Sequence, residues 1–224
     1  MRVHSRDELL TMTPSKALEF LKEGNQRFLN NLSINRNLLQ IVNDTADGQY
    51  PFAVILSCSD SRISNELVFD QGLGDVFSVR LAGNIASINA IGSMEYACKV
   101  LGSKLIIVMG HTNCGAVTAA CNGVKLDNLT PLLEQIQLAI QTSGLPVEQR
   151  DCNNKEFIND LALHNVFYNI DAILNTSEII RNYVEESKVG IAGAMYNVST
   201  GKVEFYTVEH KNKESNDYVS ACKG

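Results

Sequence analysis

The segment FAVILSCSDSR, residues 52–62, leads from an apolar run straight into a cysteine, an aspartate and an arginine. Two more apolar runs follow it, DVFSVRLAG at 75–83 and KLIIVMG at 104–110. Segments that are apolar on both faces are typical of strands in a parallel sheet that helices cover on both sides. The sequence therefore predicts an α/β fold with a mainly parallel β-sheet flanked by helices.

Helical periodicity and turn residues outline the remaining elements. Thr13 followed by Pro14 predicts the start of an amphipathic helix in an N-terminal arm. Residues 189–209 resemble two strands joined at 199–201, which predicts a C-terminal hairpin at one edge of the sheet. Helical spacing is also present at 89–102, 116–121, 130–142 and 155–175, and the last of these carries an apolar stripe typical of a packing helix.

The length and charge of the chain limit what it can bind. The 224 residues predict one domain, with a helical arm at 1–50, an α/β core at 51–208 and a polar tail at 209–224. The net charge of −6 disfavours nucleic acid and anionic membranes as partners, so a small-molecule substrate is expected. Because no apolar run is long enough for a membrane span and the N-terminus lacks a secretory signal, we expect a cytoplasmic location.

The six cysteines are too sparse for a disulfide scaffold in a chain of this length, so we expect most of them to be reduced. Cys98 and Cys121 fall on predicted helices, which favours a place in the core. Cys152 and Cys222 lie in polar stretches and are expected to be exposed.

The remaining two cysteines belong to polar clusters that follow two of the predicted strands. The first cluster is CSDSR at 58–62, and the second is HTNCG at 111–115. In an open parallel sheet, functional groups gather at the carboxyl ends of the strands, so the two clusters can meet. Cys58, His111 and Cys114 would then supply two thiolates and an imidazole, which suit tetrahedral zinc and leave a fourth position free. This arrangement is typical of a catalytic zinc site.

The paired motifs also resemble a known family. CSDSR followed about fifty residues later by GHTNCG is similar to the β-class carbonic anhydrases, and FDQGLGDVFSVRLAGN at 69–84 resembles the segment that follows the first motif in a bacterial branch of that family. The resemblance covers residues 13–208. It implies a carbonate dehydratase that hydrates CO2 reversibly to bicarbonate and a proton by attack of zinc-bound hydroxide.

The resemblance implies roles for individual residues. Cys58, His111 and Cys114 would be the zinc ligands, and Asp60 and Arg62 would form a catalytic pair. The carboxylate of Asp60 would orient the zinc-bound hydroxide, and Arg62 would hold this carboxylate away from the metal. If that pair breaks, Asp60 becomes the fourth zinc ligand and closes the site. Because two thiolates cancel the charge of the ion, activity is expected to favour alkaline pH.

Weaker expectations concern substrate contacts and assembly. Plant-type members of the family place a substrate-contacting glutamine near Gln71, which falls one position early when counted from Cys58. Gly115 has two readings, either a backbone N–H that approaches substrate or simply the start of a helix. The resemblance also implies a site formed at a dimer interface, in a homodimer or a tetramer of dimers.

Two alternative functions stay open at this point. A hydrolase on the same scaffold would act on carbon disulfide or carbonyl sulfide, which are also linear substrates. A non-catalytic protein would be stabilised by a closed zinc site with two cysteines, the histidine and Asp60 as ligands. Such a structural site usually draws its cysteines from a short knuckle, whereas Cys58 lies far along the chain from His111.

Overall fold

The fold is built on a five-stranded sheet, and the computed structural model describes residues 5–144 and 150–207 of the chain. The order of strands is β2-β1-β3-β4-β5, in which β1 to β4 pair in parallel and β5 pairs antiparallel with β4. The predicted α/β fold and the hairpin at the sheet edge are confirmed. The strands are β1 (Ala53–Ser57), β2 (Val76–Arg80), β3 (Leu105–His111), β4 (Gly190–Tyr196) and β5 (Val203–Thr207).

Helices cover the sheet, and the arm that precedes it packs on its own chain. The predicted start of α2 (Pro14–Leu29) is confirmed, because Thr13 Oγ1 accepts a backbone hydrogen bond at 3.2 Å and caps the helix. α2 buries Ala17 and Leu21 completely. The other helices are α1 (Arg6–Thr11), α3 (Leu38–Asp44), α4 (Asn65–Val68), α5 (Ile88–Tyr96), α6 (Gly115–Cys121), α7 (Leu129–Thr142), α8 (Lys155–Thr176) and α9 (Glu178–Glu185).

The core lies on both faces of the central strands. Every residue of β1 and β3 is buried, as their continuous apolar runs predict, whereas β2 at the sheet edge has only its first residue buried. The apolar stripe of α8 packs on β3 and β4. Its predicted members are all buried: Ile158, Leu161, Val166, Ile170 and Ile173.

The parallel register brings the two polar clusters to one edge of the sheet. Ser57 at the end of β1 pairs with Met109 of β3, and the two strands run in the same direction. Cys58 and His111 therefore leave the sheet side by side, which is the arrangement that the sequence predicts.

One pair of cysteines departs from the prediction. Cys121, at the end of α6, forms a disulfide with Cys152, which lies just before α8, and the two Cα atoms are 5.8 Å apart. Cys121 packs against the core as predicted, but it is not a free thiol, because Cys152, which the sequence predicts to be exposed, lies partly buried beside it. Cys58, Cys98 and Cys114 are free and buried.

Some sequence predictions lie outside the described residues, namely Cys222 and the polar tail at 209–224. Within residues 5–144 and 150–207, no helix combines the length and the apolar character that crossing a bilayer requires.

Candidate metal centre

The structure brings together the three residues that the sequence predicts as zinc ligands. The sulfurs of Cys58 and Cys114 and a ring nitrogen of His111 all lie within 4.8 Å of one another. All three residues are buried, and His111 is fully excluded from solvent. Two soft sulfur donors and one imidazole at such mutual distances fit a tetrahedral metal ion with one position left over.

The ring of His111 is oriented so that it can bind a metal. Its Nδ1 lies 3.0 Å from the carbonyl oxygen of Thr112, an arrangement in which Nδ1–H donates to that oxygen. The Nε2 atom then carries the lone pair, and it is buried with no hydrogen-bond partner in the described part of the chain. A buried imidazole nitrogen without a partner is costly unless it binds something, so this atom supports the metal assignment.

The two sulfurs affect each other's protonation. A hydrogen bond with Cys114 lowers the pKa of the Cys58 thiol, and His111 and the Gly83 N–H lower it further against the opposing effect of burial. The same sulfur–sulfur hydrogen bond raises the pKa of Cys114, as does burial. Cys58 is thus the more readily deprotonated of the two thiols, and a divalent cation would displace the remaining thiol proton on binding.

A carboxylate lies beside the ligand group and is held by an arginine. Arg62 donates from Nε to Asp60 Oδ1 at 2.9 Å and from Nη2 to Asp60 Oδ2 at 2.7 Å. These hydrogen bonds hold the pKa of Asp60 well below its usual range. Asp60 Oδ2 is 3.9 Å from His111 Nε2, so the carboxylate faces the ligand group without bonding to it.

An arginine that the sequence analysis did not single out supports this loop. Arg80, the last residue of β2, donates from Nε to the carbonyl oxygen of Cys58 at 3.2 Å and from Nη2 to that of Asp60 at 2.7 Å. The available signal was a charged residue at the end of a strand of mainly apolar residues. Arg80 thus braces the backbone that carries Cys58 and Asp60.

The second ligand loop is held by α8. The side-chain oxygen of Asn159 accepts a hydrogen bond from the N–H of Asn113 at 2.9 Å. Asn113 lies between His111 and Cys114 and has a left-handed backbone, with φ 54°. The apolar spacing of this segment predicts only a packing helix, so the contact of Asn159 with the loop could not be predicted from the sequence.

The two predicted substrate contacts have different surroundings. The amide of Gln71 donates to the carbonyl oxygen of Phe69 at 2.7 Å and also lies 3.5 Å from that of Phe20 in the N-terminal arm. Gly115 is exposed at the first position of α6, and a Cβ added there would meet no atom within 4 Å. The substrate roles of Gln71 and Gly115 stay predictions.

Together, the parallel sheet and the two-cysteine, one-histidine group define a zinc enzyme of the α/β class. Comparison with known proteins agrees with this description. Residues 53–203 match the family model described as carbonic anhydrase. Carbonic anhydrase 2 of Mycobacterium tuberculosis is 34% identical over 194 residues, which cover 84% of this chain and 91% of the relative.

Solved structures give the same result. The β-carbonic anhydrase CafA of Aspergillus fumigatus superposes with a TM-score of 0.68 at 25% identity, over 85% of this chain and 89% of that one. The β-carbonic anhydrase CcaA superposes with a TM-score of 0.67 at 26% identity, over 84% of this chain and 94% of that one. The chain belongs to the carbonic anhydrase family, in its β class of zinc enzymes that hydrate CO2 reversibly.

Proposed function

We propose that Cys58, His111 and Cys114 hold the catalytic zinc of this β-carbonic anhydrase and that Asp60 and Arg62 direct the reacting oxygen. The observation that carries the proposal is the buried ligand group, whose donor atoms lie within 4.8 Å of one another. When bound there, zinc makes a water molecule acidic enough to supply a nucleophile near neutral pH.

Asp60 acts in this proposal as a hydrogen-bond acceptor. Because its pKa is lowered, the carboxylate stays ionised and can only accept hydrogen bonds. Oδ2 would accept a hydrogen bond from the O–H of the attacking oxygen, so that a lone pair of this oxygen is directed at CO2. Arg62 engages both carboxylate oxygens and keeps them from the metal. If Arg62 releases the carboxylate, Asp60 can become the fourth ligand, which is the closed form.

The pH dependence follows from the donor set. Two thiolates offset the 2+ charge of zinc, so the metal withdraws less charge from water than it does with three neutral imidazoles. We therefore expect activity to rise toward alkaline pH.

Two residues are proposed to contact the substrate. Gly115 would present its backbone N–H to the substrate at the exposed start of α6. Gln71 could contact the substrate only if its amide released the carbonyl oxygen of Phe69.

We also propose that the protein assembles as a homodimer or a tetramer of dimers. Support comes from large apolar side chains that α3 leaves exposed, namely Leu38, Leu39 and Val42. Sedimentation equilibrium would give twice the chain mass of 24.6 kDa for a homodimer, four times that mass for a homotetramer and eight times for a tetramer of dimers. A protein that stays at one chain mass at micromolar concentration would contradict this proposal.

The cytoplasmic location stays a prediction, and the disulfide between Cys121 and Cys152 makes it testable. Disulfides persist mainly in oxidising compartments and are rare in reducing ones. Alkylation of thiols at the moment of cell lysis, followed by mass spectrometry, would show whether the bond exists in the cell. Free Cys121 and Cys152 in freshly trapped protein would support residence in the cytoplasm.

The test of the proposed function is stopped-flow CO2 hydration on protein of known zinc content, at mildly acidic and at alkaline pH. We expect zinc-dependent activity that rises with pH and is lost in a Cys114→Ser variant. Bound zinc without activity at either pH would contradict the proposal and favour a closed site. Parallel assays with carbon disulfide and carbonyl sulfide would reveal whether another linear substrate is preferred.

A further inference from the structure

Two buried asparagines of α8 form a chain of hydrogen bonds that ends on a metal ligand. Asn169 Oδ1 accepts from the N–H of Ala86 at 2.7 Å, and Asn169 Nδ2 donates to the backbone oxygen of Asn165 at 2.7 Å. Asn165 Nδ2 donates to the carbonyl oxygen of Gly83 at 2.8 Å. The N–H of Gly83 in turn donates to Cys58 Sγ at 3.3 Å. Helix α8 is thus connected to the sulfur of Cys58 by hydrogen bonds through the loop that contains Gly83.

The polarity of this chain is fixed at both ends by the backbone. The N–H of Ala86 can only donate, so it requires Oδ1 of Asn169, and the carbonyl oxygen of Gly83 can only accept, so it requires Nδ2 of Asn165. Asn169 Nδ2 also lies 3.1 Å from Asn165 Oδ1, so each donor meets an acceptor. Asn165 and Asn169 are 1% and 4% exposed, which leaves little water to compete.

The loop that carries the Gly83 N–H has little freedom of its own. Gly83 has φ 69°, a left-handed conformation that favours glycine, and a Cβ added to it would lie 2.5 Å from Cδ1 of Ile136. Ile136 therefore limits the loop on one side while Asn165 holds it on the other. Burying two amides in an apolar helix face is costly, and within residues 5–144 and 150–207 their hydrogen bonds go to each other and to this loop.

We propose that Asn165 and Asn169 are positioning residues that hold the Gly83 N–H on the Cys58 sulfur and so set how this ligand binds the metal. The inference rests on the proposed role of Cys58 as a zinc ligand. An N–H that donates to a thiolate withdraws electron density from the sulfur and fixes its direction. Outer hydrogen bonds of this kind typically change metal affinity by about 10- to 100-fold.

The test uses cobalt(II) in place of zinc in the full-length protein, with Asn165→Leu as the variant. Leucine keeps the approximate size of the side chain but cannot donate to Gly83. We expect the sulfur-to-cobalt charge-transfer band to move to longer wavelength, because the sulfur regains electron density. Because the direction of the sulfur is no longer fixed, we also expect cobalt affinity in a chelator competition to fall by about 10- to 100-fold. An unchanged band with unchanged affinity would overturn the inference.

Asn25→Leu is the matched control. Asn25 is equally buried, at 2% exposure, and donates to the carbonyl oxygens of Val68 and Gly201, outside the α8 chain of hydrogen bonds. Its loss should destabilise the fold without moving the charge-transfer band. A band shift of the same size in Asn25→Leu would overturn the inference, since general loosening of the fold would then explain the effect.

Two further measurements separate the possible failures. A wild-type cobalt protein without any sulfur-to-cobalt band would refute the proposed ligand set itself, whereas a normal wild-type band that Asn165 variants leave unchanged refutes only the positioning role. If Asn165→Leu does not fold, Asn165→Ala removes the same donor with a smaller side chain that has no hydrogen-bonding group. In wild-type protein loaded with 113Cd, we expect a scalar coupling between the metal and the 15N of Gly83, and its absence would overturn the inference.

Discussion

Asp60 and Asp70 both pair with arginine, yet the two carboxylates lie in very different surroundings. The partner of Asp60 is Arg62, which follows it closely in the chain and leaves 50% of its side chain exposed. Asp70 is 2% exposed and is held by Arg27 and Arg36 of the N-terminal arm. The first pair is local and open to water, and the second joins distant parts of the chain in the interior.

This difference assigns the two ion pairs to different tasks. Opening the Asp60–Arg62 pair separates two side chains that are only two positions apart, and the Arg62 side chain is already half exposed, so the pair can open without disturbing distant segments. Opening the Asp70 cluster would leave Arg36, whose side chain is 8% exposed, as a buried charge without its partner. Similar residue types therefore form a local pair beside the proposed metal site in one region and a buried cluster between distant segments in the other.

The largest expected effect tests the buried cluster. Asp70→Asn should lower the free energy of unfolding by about 3–5 kcal/mol, because two arginines lose the charge that they enclose. Zinc content should be unchanged, since neither arginine contacts Cys58, His111 or Cys114 in the described structure. Urea denaturation of the zinc-loaded protein measures the change.

Asp47→Asn serves as the control for this variant, because Asp47 is an exposed aspartate in the same arm. Its effect should stay within about 0.5 kcal/mol, as for most surface substitutions. If Asp70→Asn is as stable as Asp47→Asn, the Asp70 cluster has no structural role, and the proposed difference between Asp60 and Asp70 is wrong.

The disulfide provides a second stability element away from the metal. Because Cys121 and Cys152 are 31 positions apart, reducing their bond should cost about 2–4 kcal/mol of unfolding free energy. Denaturation with and without reductant measures this cost, and a Cys121→Ser/Cys152→Ser double variant should not respond to reductant. An equal response of the double variant would show that reductant acts elsewhere, for example on the metal ligands.

The exposed pair should show the opposite behaviour. Arg62→Lys replaces a two-pronged guanidinium by a single ammonium, and Asp60→Asn removes the acceptor charge. We expect each to lower kcat/KM by about 10- to 100-fold while zinc content and thermal stability stay close to wild type. Arg6→Lys, at an exposed position of α1, is the control for a general arginine effect. Full activity in both site variants would remove the pair from the mechanism.

The smallest effect concerns pH. Burial alone would raise the pKa of Asp70, but hydrogen bonds from Arg27, Arg36 and the Ile34 N–H outweigh it, so the pKa is lowered. A carboxyl with a lower pKa in the folded state stabilises the protein above its unfolded pKa near 4, and that stabilisation disappears as pH falls through the folded value. The stability difference between wild type and Asp70→Asn should therefore be constant from about pH 7 to 5 and shrink below about pH 4.

Urea denaturation of both proteins at stepwise pH tests this trend, and metal loss at low pH affects both equally. A difference that persists unchanged to about pH 3, or grows, would contradict the assignment of the shift to the arginines.

The sequence was sufficient to predict the sheet and the buried group of two cysteines and one histidine for physical reasons. Buried parallel strands need continuous apolar runs, and a cysteine or histidine cluster directly after such a run stands out. The positions of Cys58 and His111 at adjacent strand ends follow from the parallel register, and Cys114 joins them through the short loop that follows β3.

The supporting residues were not predictable in the same way. Asn159, Asn165 and Asn169 are polar residues on an apolar helix, and which loop each one reaches depends on how α8 packs on the sheet. The Cys121–Cys152 bond likewise depends on the path of the chain between α6 and α8. A contact between distant segments leaves no pattern in the sequence around either residue, so the partners of these residues could not be predicted.

The most direct test of the central claim is X-ray absorption spectroscopy at the zinc edge of the loaded wild-type protein at alkaline pH. The account predicts two sulfurs near 2.3 Å, one imidazole and one light atom that inhibitory anions displace, with one sulfur fewer in Cys114→Ser. A zinc shell with fewer than two sulfurs, or a fourth ligand that persists with anions and disappears in Asp60→Asn, would contradict it.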